Sequence, residues 1–308
     1  MSYYIDPIVT TDAQVLAGTS LAEDPTAAWA AGTFAIGDER HVVATHRVYR
    51  DSAGGASSIS PELDPNRWKN MRPTNKWAPF DEYTDTAAET TAADIEYVLA
   101  SRFVNAIALY GLDGSGVAVT VKDEPGGVEI YRYPETGYAQ LKRAAKGYWD
   151  YAYGERRKRT SLVLRGLPIR ANAEITIEIV ASTDQRRAVG MIVRGKWRNL
   201  IGSGFGGVLE DAEVNPKTYT YRETQEDGRQ RLVVRGSSKD LQFSIVMDRE
   251  NADQAAQAME DLLSRPVAWV VSTQPGFAGL TAFGIAQRAP IRYRNRLAYI
   301  DLSIEGYV

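Results

Sequence analysis

The sequence predicts a mainly β protein in three parts: a small tryptophan-rich β module, a jelly-roll-like β-sandwich, and a C-terminal antiparallel α+β domain with one helix. Three observations point there. Apolar and polar residues alternate over runs of roughly five to eight residues, the period of a strand with one buried face. Turn-forming clusters such as DSAGG, DGSG and EPGG separate those runs. Only one stretch shows clear helical spacing, and regular βαβ alternation is absent.

Residues 1–81 form the first part. HVVATHRVY is rich in β-branched and aromatic residues and reads as strand, while DSAGG and ELDPN read as turns. Three of the six tryptophans, Trp29, Trp68 and Trp77, lie here and can supply much of a small core. Residues 82–195 carry longer alternating runs: NAIALYGL, GVAVTVKD, VEIYRY, TSLVLRGL and AEITIEIVAS. In the last of these, Ile175, Ile177 and Ile179 should point inward, with Thr176 and Glu178 outward. Residues 196–308 contain TYTYRE, RLVVRG, LQFSIVMD, AWVVST, LTAFGIA and LAYIDLSIEGY as strands. Between them Ala252, Ala255, Ala256, Met259, Leu262 and Leu263 recur at helical spacing, and Pro266 closes the helix.

Composition narrows the chemistry. The chain has 308 residues, room for two or three domains, and 44% apolar with 24% charged residues places it among folding globular proteins. A net charge of −3 and a pI near 5.6 give no general attraction for nucleic acid or an anionic membrane. No run is long and apolar enough to span a bilayer, and MSYYIDPIVTTDAQ lacks the basic and apolar regions of a signal peptide. The expectation is a protein neither secreted by a signal peptide nor inserted in a membrane. Cysteine is absent, so disulfides, thiolate metal sites and cysteine nucleophiles are excluded. Histidine occurs only at His41 and His46, which removes the usual general base and metal ligand from most of the chain.

Each motif has an ordinary reading beside its functional one. GSGFGG, with Gly202, Gly204 and Gly207, fits a dinucleotide-site pattern, yet VLEDAEVNPKTYTY leads into a strand instead of a helix, so a tight loop is expected. The basic run ERRKR, Glu155–Arg159, follows Trp149, Tyr151 and Tyr153. Aromatic and basic residues together can track single-stranded nucleic acid. The run sits between two strand patterns, where a solvated loop is the ordinary explanation and contact with an acidic neighbouring subunit the next, and no nucleic acid is expected. His41 and His46 lie five apart and on one strand would face opposite sides, so no metal is expected. Acidic pairs such as Asp81 and Glu82, or Glu226 and Asp227, read as turn or surface charges. No nucleophile elbow exists around Ser203, because Ile201 stands where glycine is needed. The chain is expected to be non-enzymatic, with no cofactor.

Between residues 29 and 81, Trp29, Phe34, the Gly37–Asp38 turn, a strand ending at Tyr49, then Trp68 and the Pro-flanked Trp77 resemble the small chitin-binding type of carbohydrate module. That resemblance implies Trp29, Tyr49 and Trp68 as carbohydrate-binding residues, since sugar C–H faces stack on aromatic rings. The alternative is that these rings are core. The continuation PTNKWAPFD resembles a segment recurring in phage tail proteins, where such a module leads into a sandwich. Residues 82–195 resemble a galactose-binding-like jelly roll. Residues 196–308, from TYTYRE through the helix to the closing SIEG strand, resemble phage baseplate and distal-tail β-domains.

Together these resemblances imply a structural protein of the bacteriophage virion, in the tail tip or baseplate, made in the host cytoplasm. It would form a homo-oligomeric ring or hub and contact the tail tube, hub and fibres. The alternative function is a receptor-binding protein that recognises a cell-surface glycan through the first or middle part.

Overall fold

A computed structural model describes residues 3–81, 83, 85–142, 147–154, 158–200, 206–209, 211–224, 229–233, 236–272, 277 and 279–307. The protein is mainly β, with one long helix, Ala252–Leu262. Every alternating run picked out in the middle part is a strand: Ala106–Tyr110, Gly116–Lys122, Glu129–Tyr133, Ser161–Arg165 and Ala173–Val180. Ile175, Ile177 and Ile179 are buried in a common core with Ile95, Leu99, Val119, Leu109 and Leu162. That core lies between two sheets. One holds Glu129–Tyr133, Gly116–Lys122, Ala173–Val180 and Ile95–Ser101 in that order, with Ala139–Gln140 also beside Gly116–Lys122. The other layer is the end of a much larger sheet.

That larger sheet has eleven strands, and its paired neighbours are antiparallel. Its main path runs from Ser161–Arg165 through Ala106–Tyr110, Met191–Asn199, Tyr3–Pro7, Val267–Val270, Thr281–Arg288, Leu297–Gly306 and Ser237–Asp248 to Gly206–Val208. Strand Tyr3–Pro7 is the link. It pairs with Met191–Asn199 on one side and Val267–Val270 on the other, so the sandwich and the C-terminal part share one unbroken sheet. Residues 3–7 thus sit apart from the tryptophan-rich module to which sequence order assigned them, and Met191–Asn199 runs across the expected 195/196 boundary. Local patterning reports which face a strand buries, and carries no information about a partner some 190 or 265 positions away. The sheet is curled. Tyr110, Thr160 and Ser161 at one end meet Lys239, Phe283 and Tyr307 around a cavity of about 250 Å³.

The helix matches its sequence pattern. Ala252, Ala255, Met259 and Leu262 are buried against Phe243, Ile245, Met247, Trp269, Ile300 and Leu302 of the large sheet. Leu263 is the exposed C-cap, so the helix stops before Pro266.

The small module differs from expectation at one point. HVVATHRVY is a hairpin instead of a single strand: Glu39–Val42 turns back into Arg47–Asp51, which then pairs with Trp68–Pro73. The turn places His46 at φ 51, a left-handed conformation unusual for a non-glycine residue. A second short ladder joins Gly32–Phe34 to Gly55–Ser57. The module core is Phe34, Val42, Tyr49 and Trp68, with Trp29 packed against it.

Candidate functional site

Of the three rings expected to meet a sugar, Trp68 is 1 % exposed and Tyr49 is 8 % exposed. Trp68 packs edge-on against Phe34 with centroids 5.1 Å apart, and the Tyr49 hydroxyl lies 3.3 Å from Thr45 Oγ1. Neither ring offers a face to a ligand while the module stays folded. Trp29 is half-buried and adds its backbone N–H to His41 O at 2.8 Å. The three residues do share one cluster, so their sequence spacing brought them together, but as core more than as surface. The strand Trp68–Pro73 buries only its two ends, so no alternation in WKNMRP distinguishes an enclosed ring from an exposed one.

Charged groups fix the loops around this core. Asp51, whose carboxylate is fully buried, accepts from the backbone N–H groups of Ala53 and Gly54 at 2.9 and 3.1 Å and from Arg67 Nη2 at 2.7 Å. The Arg67 hydrogen bonds, helped by those two backbone donors, hold the Asp51 carboxyl down at about 2. Arg67 also donates to the carbonyls of Ala56 and Gly55, which closes the DSAGGAS loop. Asp24 plays the same part at the base of the module. Burial pushes its pKa up, but hydrogen bonds from Arg72, Thr26 and Asn75 outweigh that and leave it below the ordinary carboxylate value.

The seam between module and sandwich is built by the PTNKWAPFD segment. Asn75 pairs its side-chain amide with both backbone groups of Glu89, at 3.0 and 2.9 Å. Tyr97 OH donates to Lys76 O at 2.8 Å, while Trp77, Phe80 and Tyr97 form a chain of edge-to-face rings. His46 stacks on Trp77 at 3.9 Å, with its two ring nitrogens 2.8 Å from Glu23 Oε1 and 2.9 Å from Asp12 Oδ1. These contacts hold the left-handed turn in place. His41 is separate, buried with Nδ1 2.9 Å from Thr26 O. Among the described residues no group of three His, Asp or Glu side chains is placed to hold a metal ion. Asp81 ends the segment half-buried, where desolvation raises its pKa to about 6 despite hydrogen bonds from Tyr83 N–H and Thr86 Oγ1. The sequence reads Asp81 as a turn or surface charge, and it does cap the turn Ala78–Phe80, though half-buried; Glu82 lies outside the described residues.

A cleft of about 640 Å³ opens along this seam, lined by Pro25, Arg72, Asn75, Thr86, Glu89 and Arg186 among others. Its charged groups are already engaged: Arg72 with Asp24 at 2.6 Å, and Arg186 with Glu89 at 2.6 Å. Of GSGFGG, Gly202 and Gly204 lie outside the described residues, and Gly207 sits in strand Gly206–Val208, with no helix following it. Glu155, Arg156 and Arg157 of the basic run also lie outside them, as does the pair Glu226 and Asp227.

No helix among the described residues is long and apolar enough to cross a membrane. No protein-family model, no curated protein and no solved structure matches this chain.

Proposed function

We propose that this chain is a structural component of a bacteriophage tail tip or baseplate. In this reading residues 196–308 join a homo-oligomeric ring or hub, in contact with tail tube, hub or fibre proteins, and the sandwich and tryptophan-rich module project outward. The observation that supports it most is the unbroken eleven-stranded sheet. Domains within one chain that meet only through ordinary interfaces move relative to one another by default. A shared ladder of backbone hydrogen bonds removes that freedom, as suits a part that must hold outward units at a fixed angle to a ring. The resemblance of its three parts to tail-protein modules points the same way.

Mass spectrometry of purified virions tests this reading. The chain should appear in fixed stoichiometry with the tail proteins and remain after stringent washing. Its absence from particles would overturn the reading. Recognition of a cell-surface glycan is the second reading, and the observation in its favour is that Trp29 is only partly buried against the module core. It is the weaker, because Tyr49 and Trp68 are enclosed.

A further inference from the structure

The two histidines of this chain sit in different company. His41 is buried, with Nδ1 2.9 Å from the carbonyl oxygen of Thr26. His46 has a carboxylate on each ring nitrogen: Glu23 Oε1 lies 2.8 Å from Nδ1 and Asp12 Oδ1 lies 2.9 Å from Nε2. An ionised carboxylate only accepts, so both contacts are hydrogen bonds only when each nitrogen carries a proton, which is the imidazolium ion. A neutral ring has a single N–H and turns a bare lone pair towards one of the two carboxylates. The geometry therefore belongs to the charged form.

These contacts join segments that are far apart in sequence. Asp12 opens the turn Asp12–Gln14 beyond the first strand, and Glu23 belongs to the stretch that enters the small module. His46 closes the turn between Glu39–Val42 and Arg47–Asp51, and its ring lies 3.9 Å from that of Trp77 with planes 19° apart. From Trp77 the chain of rings passes through Phe80 to Tyr97, in strand Ile95–Ser101 of the sandwich. Backbone and hydroxyl groups follow the same route. Glu23 Oε1 also accepts from Thr74 Oγ1 at 2.9 Å, Thr74 N–H donates to His46 O at 2.9 Å, and Lys76 N–H donates to Glu23 O at 3.0 Å. His46 itself is held at φ 51, which a non-glycine residue keeps only where its surroundings impose it. The side chains of His46 and Glu23 are each 18 % exposed, so solvent screens their attraction only in part, whereas Asp12 is a surface group.

We infer that His46 is a proton-operated latch between the hairpin tip of the small module and the sandwich. With the ring charged, the turn at residues 43–46 is fastened to Asp12, Glu23 and Trp77. Loss of the proton removes one hydrogen bond, sets a lone pair against a carboxylate, and lets the left-handed turn relax. Histidine is the side chain whose charge ordinarily changes between about pH 5 and 8, so the latch closes towards the acidic side of that range and opens towards the basic side.

The other titratable groups around the latch do not reverse this sign. Arginine and lysine are cations throughout the range, which covers Arg47 and Lys76, the chain neighbours of His46 and Trp77. Tyr97, which feels the Glu23 charge, is pushed well above the ordinary tyrosine value by burial and stays neutral. Asp81, at the end of the turn Ala78–Phe80, ionises as pH rises through about 6 although desolvation opposes it, which loosens the same segment in the same direction. The remaining seam bonds do not titrate there: Asn75 to Glu89, Tyr97 OH to Lys76 O, and Arg72 to Asp24. The module therefore stays attached, and its hairpin tip is what is set free. The latch rests on the fold alone and is independent of the assembly reading.

Nuclear magnetic resonance of the full chain with isotope-labelled histidine tests it, because only two rings report. Hydrogen exchange at the amides of residues 46, 74 and 76 is followed on the same sample from about pH 5 to pH 8, corrected for the intrinsic rate. Both His46 ring nitrogens should be protonated at the acidic end. Protection at the three amides should then fall roughly tenfold as the ring loses its proton, with the sandwich amide of Ile177 unchanged. His46→Asn keeps a residue that tolerates the left-handed turn and should abolish the pH dependence, leaving these amides at the high-pH level throughout. Asp12→Asn, a surface change that leaves the fold intact, should move the ring titration and the loss of protection together to lower pH, by about a few tenths of a unit. A His46 ring that carries only one proton at the acidic end overturns the latch. So does protection that ignores the ring titration, or a pH-dependent loss that survives in His46→Asn, which would assign the change to Asp81 instead.

Discussion

Arg194 shows what single residues do in this fold. Only 1 % exposed, it has, among the described residues, neutral acceptors alone: Ala100 O at 2.6 Å, Ser101 Oγ at 2.8 Å, Gln14 Oε1 at 2.6 Å and Thr10 Oγ1 at 3.3 Å. Burial without a carboxylate partner lowers its pKa to about 10, still charged at neutral pH. One guanidinium thus pins the chain after the first strand to the sandwich. Asp51 works through charge as well, and its effect has a pH signature. Its folded pKa of about 2 lies below the ordinary 3.8, so its stabilisation is complete above pH 4 and is lost as pH falls from about 4 towards 2. Thermal midpoints followed from pH 7 to pH 2 should fall less steeply below pH 4 in Asp51→Asn than in wild type, from a lower neutral value; parallel curves would contradict this. Asp81, raised to about 6, acts oppositely, and its contribution weakens as pH rises from about 4 through 6. Residue-level reading of sequence was good where period decides, as at Ile175, Ile177 and Ile179. It is silent on Asp51 and Arg194, because a buried charge is recognisable only once its distant partners are known.

At the scale of elements, the strand Tyr3–Pro7 has the largest consequence for its length. Its register opposes Pro7 to Gly195, and a Cβ at Gly195 would lie 1.8 Å from Asp6 O. Glycine here permits a close approach of two backbones. Gly195→Ala should therefore push the first strand out of register and cost about 1–3 kcal/mol of stability. Hydrogen exchange should speed up at residues 3–7 and 267–270 before it does in the sandwich core. Unchanged protection at both would show that the strand is not held as described. The helix Ala252–Leu262 was readable because a helix buries one stripe at fixed spacing, and the stripe is written in neighbouring residues. The first strand was not, since YYIDP is short and its partners come from near residues 195 and 268. The hairpin within HVVATHRVY was hidden for another reason. Its turn uses no glycine or proline, and His46 is held in its left-handed conformation by Trp77, Glu23 and Asp12.

For the whole molecule, the mainly β class was legible from alternation, and three cores do recur along the chain: in the small module, the sandwich and the C-terminal part. The joining of the last two into one sheet was not, because no linker or composition change marks a continuous ladder. The candidate site divides likewise. Aromatic spacing showed that Trp29, Tyr49 and Trp68 belong together, whereas only three dimensions show two of them enclosed and Tyr148, Trp149 and Tyr153 laid bare. The proposal is that a sandwich and a C-terminal part stiffened by one shared sheet hold a fixed place among other subunits. Electron cryomicroscopy of the intact particle tests that claim most directly. The proposal requires density for this chain in a closed ring about the tail axis, with residues 196–308 inward and the tryptophan-rich module outward. Copies scattered without symmetry, or no density for the chain at all, would contradict it.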